Sequence, residues 1–174
     1  MGIKIPSHIK VQVELVREKY NLNDFYKVLP HIGDLHITLF YLGGISADNL
    51  LPLKEAFKKV AETHSTFSLL VDGISYFGPS SGPRVVYLTV GHSVELTTLQ
   101  LAIKNEITQQ LSMPVSDRFV PHITIAKKRK TKDVLNIQKE KIIPIEIPVE
   151  AFSLFTVHLD KTPKYEAVET FLLT

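Results

Sequence analysis

The feature that most constrains the fold of this chain is a tetrapeptide of alternating character that occurs twice. His36-Ile37-Thr38-Leu39 and His122-Ile123-Thr124-Ile125 each alternate a polar residue with an aliphatic one. Successive side chains of an extended strand point to opposite faces, so each His shares a face with its Thr, about 7 Å along the strand. The aliphatic residues can then face a core. Two such strands side by side would place two imidazoles and two hydroxyls around one small space.

Both copies lie in strand-forming runs. Residues 35–42 form one run that ends in Gly43-Gly44, and residues 119–126 form another that Lys127-Lys128-Arg129-Lys130 follows. A third match, His64-Ser65-Thr66, lacks the aliphatic residue and follows an amphipathic helix, so it is interpreted as a turn. A single His in a strand is usually structural, but packing gives no reason to pair imidazole with hydroxyl twice. We therefore interpret the two histidines as a catalytic pair.

Composition limits the class of protein. With 174 residues, of which 44% are hydrophobic, the chain can bury the core of a single domain. The absence of Cys excludes disulfides, thiolate nucleophiles and Cys-based zinc sites. No apolar stretch approaches the roughly 18 residues of a membrane span, and a net charge of +2 is too small for a protein that coats nucleic acid. The sequence predicts a cytoplasmic monomer without a membrane segment.

The order of predicted elements indicates an internal duplication. A strand, a helix and strands are followed by a second round that ends in the second motif, and three further strands complete the chain. The periodicity predicts helices over residues 46–64 and 94–111, and strands over 67–77, 84–90, 142–149, 151–158 and 166–172. We expect an α+β protein over residues 1–174, a single domain of two pseudo-symmetric lobes. Two mostly antiparallel sheets should line a central cleft, with the long helices outside.

Two groups that titrate near neutral pH suit in-line attack at phosphorus. One imidazole can remove a proton from the nucleophile while the other gives a proton to the leaving oxygen. Each Thr hydroxyl can donate a hydrogen bond to a phosphate oxygen. No carboxylate cluster or His-x-x-x-His spacing accompanies either motif, so we expect no cofactor and no metal, although two histidines alone could ligate one. A 2',3'-cyclic phosphate is the natural substrate for this layout.

The extended motifs resemble those of a known family. Asp34-Leu35-His36-Ile37-Thr38-Leu39-Phe40-Tyr41-Leu42-Gly43 and Phe119-Val120-Pro121-His122-Ile123-Thr124-Ile125-Ala126-Lys127 are similar to the paired signatures of the two-histidine phosphoesterases. The resemblance is closest to the RNA 2',3'-cyclic phosphodiesterases, also called 2'-5' RNA ligases. It implies a bilobal fold, metal-free hydrolysis of a 2',3'-cyclic end to a 2'-phosphate, and in some members weak reversible 2'-5' ligation. RNA ends or small cyclic nucleotides would be the substrates.

The resemblance also implies roles for individual residues. His36 and His122 would be the catalytic pair, and Thr38 and Thr124 would bind the phosphate. Similarity favours His36 as the acid for the leaving 3' oxygen and His122 as the base for water, while the residues themselves leave the assignment open. Lys127 stands where relatives commonly have Arg and would bind phosphate without the bidentate fork.

Other positions depart from the family pattern. Asp34 stands where Asn is usual, and Val120 stands where many members have Arg. Phe40 replaces a frequent basic residue, so we expect it either to pack in the protein or to stack on a base of the substrate. Arg118 is a further candidate for substrate contact, and Tyr41, on the opposite strand face, is expected in the core.

Alternatives to this activity stay open. A non-catalytic protein that binds RNA or a nucleotide would keep the cleft, although it would not need paired proton-transfer groups. A phosphodiesterase acting on ADP-ribose cyclic phosphate or on 2'-5' oligoadenylate would show the same motifs, because the motifs read only the phosphate.

Overall fold

The structure of the chain, a computed structural model, describes residues 1–111 and 118–174. The three strands in the first third of the chain are short, and longer ones follow. The strands are β1 Gly2–Lys4, β2 Tyr26–Val28, β3 His36–Thr38, β4 Phe67–Phe77, β5 Val85–Val90, β6 His122–Arg129, β7 Glu140–Val149, β8 Ala151–Val157 and β9 Tyr165–Leu172. The helices are α1 Lys10–Lys19, α2 Leu22–Phe25, α3 Ala47–Glu62 and α4 Val94–Leu111. None of the described helices combines the length and hydropathy that a transmembrane span needs.

Apolar residues at helical spacing explain the two long helices. In α4, Leu96, Leu99, Ile103 and Ile107 recur every three or four residues and are at most 1% exposed. Helix α3 buries a similar stripe and packs against α4 and β9. The apolar stripes therefore attach both helices to the sheet.

The strands form one open sheet in the order β7-β4-β5-β6-β3-β1-β8-β9, with β2 paired to β6 beside β3. All the strand pairings within the described part of the chain are antiparallel. The two motif strands, β3 and β6, are neighbours at the centre of the sheet. Three further strands lie between each of them and its edge of the sheet, counting the edge strand. The sheet thus has the same number of strands on either side of the β3–β6 pair.

The aliphatic residues of both motifs lie in the core. Ile37, Ile123 and Ile125 are fully buried, and Leu39 is 3% exposed. They belong to one hydrophobic cluster with apolar residues of α1, α3 and α4. The helices thus cover this face of the sheet, and the histidine face is left for the site.

The predicted α+β class with antiparallel strands and outer helices is confirmed. Instead of two separate sheets, the strands of the two halves are joined in one sheet. The join is narrow, because β3 has three residues and meets β6 at the single pair Ile37–Ile123. Pairing across this junction links positions 86 apart (123 − 37), which local sequence patterns do not reveal.

The first motif strand is shorter than predicted. The run over residues 35–42 pairs as a strand only from His36 to Thr38, because its ladder with β1 ends at the Gly2–Thr38 pair. The expectation that Tyr41 lies in the core is therefore wrong, and this side chain is 82% exposed. Strand alternation does not apply beyond the end of the ladder.

Candidate active site

The register between β3 and β6 brings the two motifs together. Because Ile37 lies opposite Ile123 in an antiparallel pair, His36 faces Thr124 and Thr38 faces His122. Directly opposed residues have Cβ atoms about 4.5–5.5 Å apart, and diagonal neighbours are about 7–8 Å apart. The two histidines form one diagonal of this square and the two threonines form the other. All four side chains line a single cavity of about 380 Å³.

Each catalytic candidate is held by the same backbone hydrogen bond. Nδ1 of His36 lies 2.7 Å from the carbonyl oxygen of Asp34, and Nδ1 of His122 lies 2.7 Å from that of Val120. A carbonyl oxygen can only accept, so Nδ1 carries the proton in both rings. In the neutral ring Nε2 is then left with a lone pair, and no described residue forms a hydrogen bond to it. Both rings are therefore preset to exchange a proton through Nε2.

Aromatic side chains flank both imidazoles. The ring of His36 lies 4.5 Å from that of Tyr165 and 5.8 Å from that of Phe155, centroid to centroid. The ring of His122 lies 5.0 Å from both Phe77 and Tyr87, edge-on to Phe77. Each imidazole thus has one Phe and one Tyr as neighbours. These contacts restrict ring rotation and exclude water from part of each ring.

Burial lowers the pKa of both histidines below the ordinary value of 6.5. For His36 the hydrogen bond to the Asp34 carbonyl and the charge of Asp34 raise the pKa, while the charges of the amino terminus and Lys127 lower it. For His122 the hydrogen bond to Val120 raises the pKa in part. Desolvation is the largest cause in both cases. The neutral rings therefore predominate at pH 7 in the free protein.

A β-bulge brings Lys127 to the same face as the second motif. Partners of β6 on β5 are Thr89 for His122, Tyr87 for Thr124 and Val85 for Lys127, so the count shifts by one residue between the last two pairs. In a regular strand Lys127 would face the core instead. Lys127 is half-buried and lines the cavity, and its pKa is lowered by burial and by the charges of Lys128 and Lys164, against the opposing effect of Asp34.

Sequence reasoning did not single out Lys128 and Lys164, which line this cavity too. Lys128 belongs to the basic run that follows the second motif, but a position at the end of a strand does not indicate which face its side chain points to. Lys164 follows the turn at Thr162-Pro163 and reaches the site only because β9 returns beside β8. No local pattern could have indicated that approach.

The remaining candidates lie further out. Phe40 is half-buried, packs against the core and lines an adjoining cavity of about 430 Å³, which shares His36 and Thr38 with the first. Arg118 is exposed and is not among the described residues that line either cavity. Asp34 is buried, lines the site and accepts a hydrogen bond of 2.9 Å from the backbone N–H of Tyr165.

Within residues 1–111 and 118–174, no group of three His, Cys, Asp or Glu side chains is arranged to hold a metal ion. The polar groups that converge on the cavity are imidazoles, hydroxyls, ammonium groups and one carboxylate. This set can exchange protons and bind an anion.

Comparisons with known proteins agree with this geometry. A family model described as the 2'-5' RNA ligase superfamily matches residues 5–161. The chain is 32% identical over 154 residues to the RNA 2',3'-cyclic phosphodiesterase of Geobacillus stearothermophilus, an alignment that covers 85% of this chain and 48% of that relative. The chain thus matches about half the length of that relative.

Two other comparisons extend over nearly the whole chain. The RNA 2',3'-cyclic phosphodiesterase of Thermotoga maritima is 27% identical over 175 residues, covering 97% of this chain and 91% of the relative. The crystal structure of E. coli LigT complexed with 3'-AMP matches with a TM-score of 0.83 at 21% identity, covering 99% of this chain and 95% of that one. At this identity the likeness to LigT concerns the fold.

Proposed function

The chain belongs to the 2'-5' RNA ligase superfamily, and from this premise we propose that it hydrolyses 2',3'-cyclic phosphates to 2'-phosphates. The observation that carries the proposal is the matched pair of imidazoles, each with Nδ1 bonded to a carbonyl and Nε2 available to one cavity. The names of the relatives from Geobacillus stearothermophilus and Thermotoga maritima support the same reaction.

The reaction needs two proton transfers at opposite sides of one phosphorus atom. One neutral imidazole takes a proton from water through Nε2 as the water oxygen bonds to phosphorus. The other, protonated, gives its Nε2 proton to the 3' oxygen as the bond from phosphorus to that oxygen breaks. A separation of about 7–8 Å between diagonal positions leaves room for a phosphate group between the rings. Similarity favours His36 as the acid and His122 as the base.

The threonines and Lys127 would hold the phosphate. Thr38 and Thr124 occupy the other diagonal of the square, from which each hydroxyl can donate to a non-bridging oxygen. The ammonium group of Lys127 would offset the charge that develops in the transition state. Phe40 and Arg118 stay candidates for contact with more distant parts of the substrate.

The wider organisation of the protein follows from the same proposal. We propose a single domain over residues 1–174 whose two halves each supply one His and one Thr. The cytoplasmic location and the monomeric state stay predictions, and light scattering on the purified protein measures the second. RNA ends and small cyclic nucleotides are the proposed substrates. Whether the reaction also runs in reverse, as 2'-5' ligation, is measured by incubating a cyclic-ended oligonucleotide with a 5'-hydroxyl acceptor.

Replacing either catalytic candidate tests the proposal. We expect His36→Ala and His122→Ala each to lower the hydrolysis rate of a 2',3'-cyclic nucleotide by at least about a hundredfold, because each removes one proton-transfer group. His64→Ala is a matched control, since His64 stands in the third His-x-Thr match but lies just beyond the end of α3 and does not line the cavity. Circular dichroism checks that the variants are folded.

Full activity in either site variant would reject the assignment. Binding of the nucleotide without turnover by the unmodified protein would instead favour the non-catalytic alternative. Product analysis with cyclic nucleotides, ADP-ribose cyclic phosphate and 2'-5' dimers separates the candidate substrates. Treatment with a chelator should change the rate little, and a rate restored only by added metal would contradict the metal-free reaction.

A further inference from the structure

The cavity has a basic wall with more charge than one cyclic phosphate requires. Lys127, Lys128 and Lys164 all line it, and Asp34 is the acidic side chain among its described lining residues. A 2',3'-cyclic phosphate diester carries one negative charge. Lys127, on the bulged face beside Thr124, is already placed to bind that group. The ammonium groups of Lys128 and Lys164 are therefore not needed to bind the cyclic phosphate.

The backbone at Lys128 is distorted in a way that directs it to this wall. Consecutive strand residues normally point to opposite faces, so Lys127 and Lys128 should not line the same cavity. Lys128 has φ of +62°, a left-handed conformation that side chains other than Gly rarely adopt. Alternation is lost at this residue, and both lysines line the site. Strained backbone of this kind is concentrated at functional sites.

The three ammonium groups are close to one another, and none of them forms an ion pair with a described carboxylate. Lys127 experiences the charges of both Lys128 and Lys164. Lys19, Lys54, Lys141 and Lys161 each form an ion pair with a carboxylate, whereas within the described part of the chain none of the three cavity lysines does. Like charges held together in a half-buried cavity repel, and a bound anion relieves the repulsion.

Among its described residues, the other side of the site lacks lysine side chains. Met1 with its terminal amine lines it, but burial lowers the pKa of that amine to about 6, so it is largely neutral at pH 7. The adjoining cavity, which contains Phe40 and Phe155, has no Lys, Arg, Asp or Glu side chain among its described lining residues. The site is thus polar and cationic on one side of the square formed by His36, Thr38, His122 and Thr124, and largely apolar on the other side. A nucleoside phosphate presents the same division, with a nucleobase at one edge of the ribose and the 5' oxygen at another.

We propose that Lys128 and Lys164 form a second phosphate subsite, which binds the phosphate group on the 5' side of the terminal nucleoside. The proposal rests on the proposed function and names its substrate class: cyclic phosphates that carry a further phosphate one nucleoside away. That group is either the phosphodiester of an RNA chain or the 5'-phosphate of a small nucleotide.

Three substrates separate these sources. They are uridine 2',3'-cyclic phosphate, the same nucleotide with a 5'-phosphate, and the dinucleoside ApU with a 2',3'-cyclic end. We expect kcat/KM for at least one phosphate-bearing substrate to exceed that for the bare nucleotide by about tenfold or more. A gain with ApU alone identifies an RNA chain, and a gain with both identifies the 5' phosphate itself. Equal values for all three substrates would overturn the subsite.

Lysine variants test the residues. The Lys128→Gln/Lys164→Gln protein should lose at least about tenfold in the ratio of kcat/KM between the preferred phosphate-bearing substrate and the bare nucleotide. The matched control is Lys130→Gln/Lys132→Gln, which removes the same charge from the basic run that contains Lys128, at positions outside the described cavity lining, and should keep the ratio. An equal loss of the ratio in the control would mean that the positive potential of the surface as a whole causes the preference, and would reject the subsite.

A further variant separates charge from backbone strain. Lys128→Gly suits the positive φ and removes only the side chain, so it should lower the ratio in the same direction as the double variant. A ratio that stays at the unmodified value in Lys128→Gly would contradict the proposal. The bare nucleotide tests the proposed function separately: if the unmodified protein hydrolyses none of the substrates, the proposed function fails, and if it hydrolyses all three equally, only the subsite fails.

Discussion

At the scale of residues, His36 and His122 receive the same hydrogen bond in different surroundings. The carbonyl that accepts from His36 belongs to Asp34, whose carboxylate also lines the cavity, while the carbonyl that accepts from His122 belongs to Val120, which is apolar. The negative charge therefore raises the pKa of one ring only, although burial lowers both. The two rings can differ in proton affinity without differing in backbone geometry.

The pH dependence of the rate follows from these shifts. Catalysis needs one neutral and one protonated imidazole, and both pKa values lie below 6.5. We therefore expect a bell-shaped profile of kcat/KM with its maximum below pH 6.5, falling at higher pH as the acid loses its proton. Rates at constant ionic strength across this range measure it.

Asp34→Asn alters the same profile at one ring. The amide oxygen can still accept the N–H of Tyr165, but the negative charge that raises the pKa of His36 is lost. If His36 is the acid, the alkaline limb moves to lower pH, with a loss of up to about tenfold at pH 7 for a shift of one unit. Movement of the acid limb instead would make His36 the base.

Asp34→Ala serves as the comparison for structure. It removes the charge and also the acceptor for the backbone of Tyr165, so it should lower the thermal midpoint as well as shift the profile. An unchanged profile in Asp34→Asn would show that the carboxylate does not act on His36.

Residue patterns predicted the four motif side chains because alternation in a strand is a local property. The neighbours of the histidines were beyond such reasoning. Tyr87 reaches His122 through the pairing of β5 with β6, Phe77 follows through the pairing of β4 with β5, and Lys164 enters from the segment just before β9. The sequence predicts that Lys127 touches phosphate, but regular alternation would place its side chain on the core face. The bulge places it on the face of the cavity.

At the scale of elements, Arg17 ties α1 to the second motif strand. Its buried guanidinium donates to the carbonyl oxygen of Ile125 from two nitrogens, at 3.1 and 3.2 Å, and to that of Pro30 at 2.6 Å. Ile125 lies at the β-bulge, where it has no partner in the register with β5. The side chain therefore satisfies backbone groups where the ladder is interrupted.

Arg17→Met should destabilise the fold, although Met keeps an unbranched side chain about as long as the aliphatic part of Arg. The buried carbonyl of Ile125 and the half-buried carbonyl of Pro30 lose their donor, which costs about 2–4 kcal/mol in the free energy of unfolding. Glu14→Gln is the control: it removes the ion-pair partner of Arg17, but Glu14 is 43% exposed, so the cost should stay below about 1 kcal/mol. Urea unfolding measures both, and equal losses would refute a role for the carbonyl contacts.

Element boundaries were predictable where periodicity is long. The predicted helix over residues 94–111 and the strand over residues 67–77 have the observed bounds, because many repeats of one pattern define each of them. The three-residue strand β2 was missed, since Tyr26–Val28 offers too few positions for a pattern and forms only by pairing with β6.

At the scale of the whole molecule, the two motif histidines couple stability to pH. Their folded pKa values are lowered below the unfolded value of 6.5, so their contribution is complete above pH 6.5 and is lost as pH falls from there through the folded pKa values. Each unit of difference corresponds to about 1.4 kcal/mol. Acidification should therefore destabilise the protein before most carboxylates are protonated.

Urea unfolding at pH 7.5 and pH 5.5 measures this coupling. The unmodified protein should lose more stability between the two values than His36→Gln/His122→Gln, which has no imidazole at these sites. His92→Gln, at an exposed position on a loop, controls for removal of a histidine elsewhere. An identical pH dependence in the double variant and the unmodified protein would contradict the coupling.

The arrangement of β3 and β6 in one chain also allows a difference between the two rings that a symmetric dimer would not allow. Each half of the sheet supplies one imidazole and one hydroxyl, as two identical copies of a shorter chain would if they associated about a two-fold axis through the Ile37–Ile123 pair. Identical copies must carry identical substitutions. In a single chain the two halves can differ in sequence, so a carboxylate such as that of Asp34 can lie beside one ring alone. The two imidazoles can then differ in proton affinity, which exact two-fold symmetry would forbid.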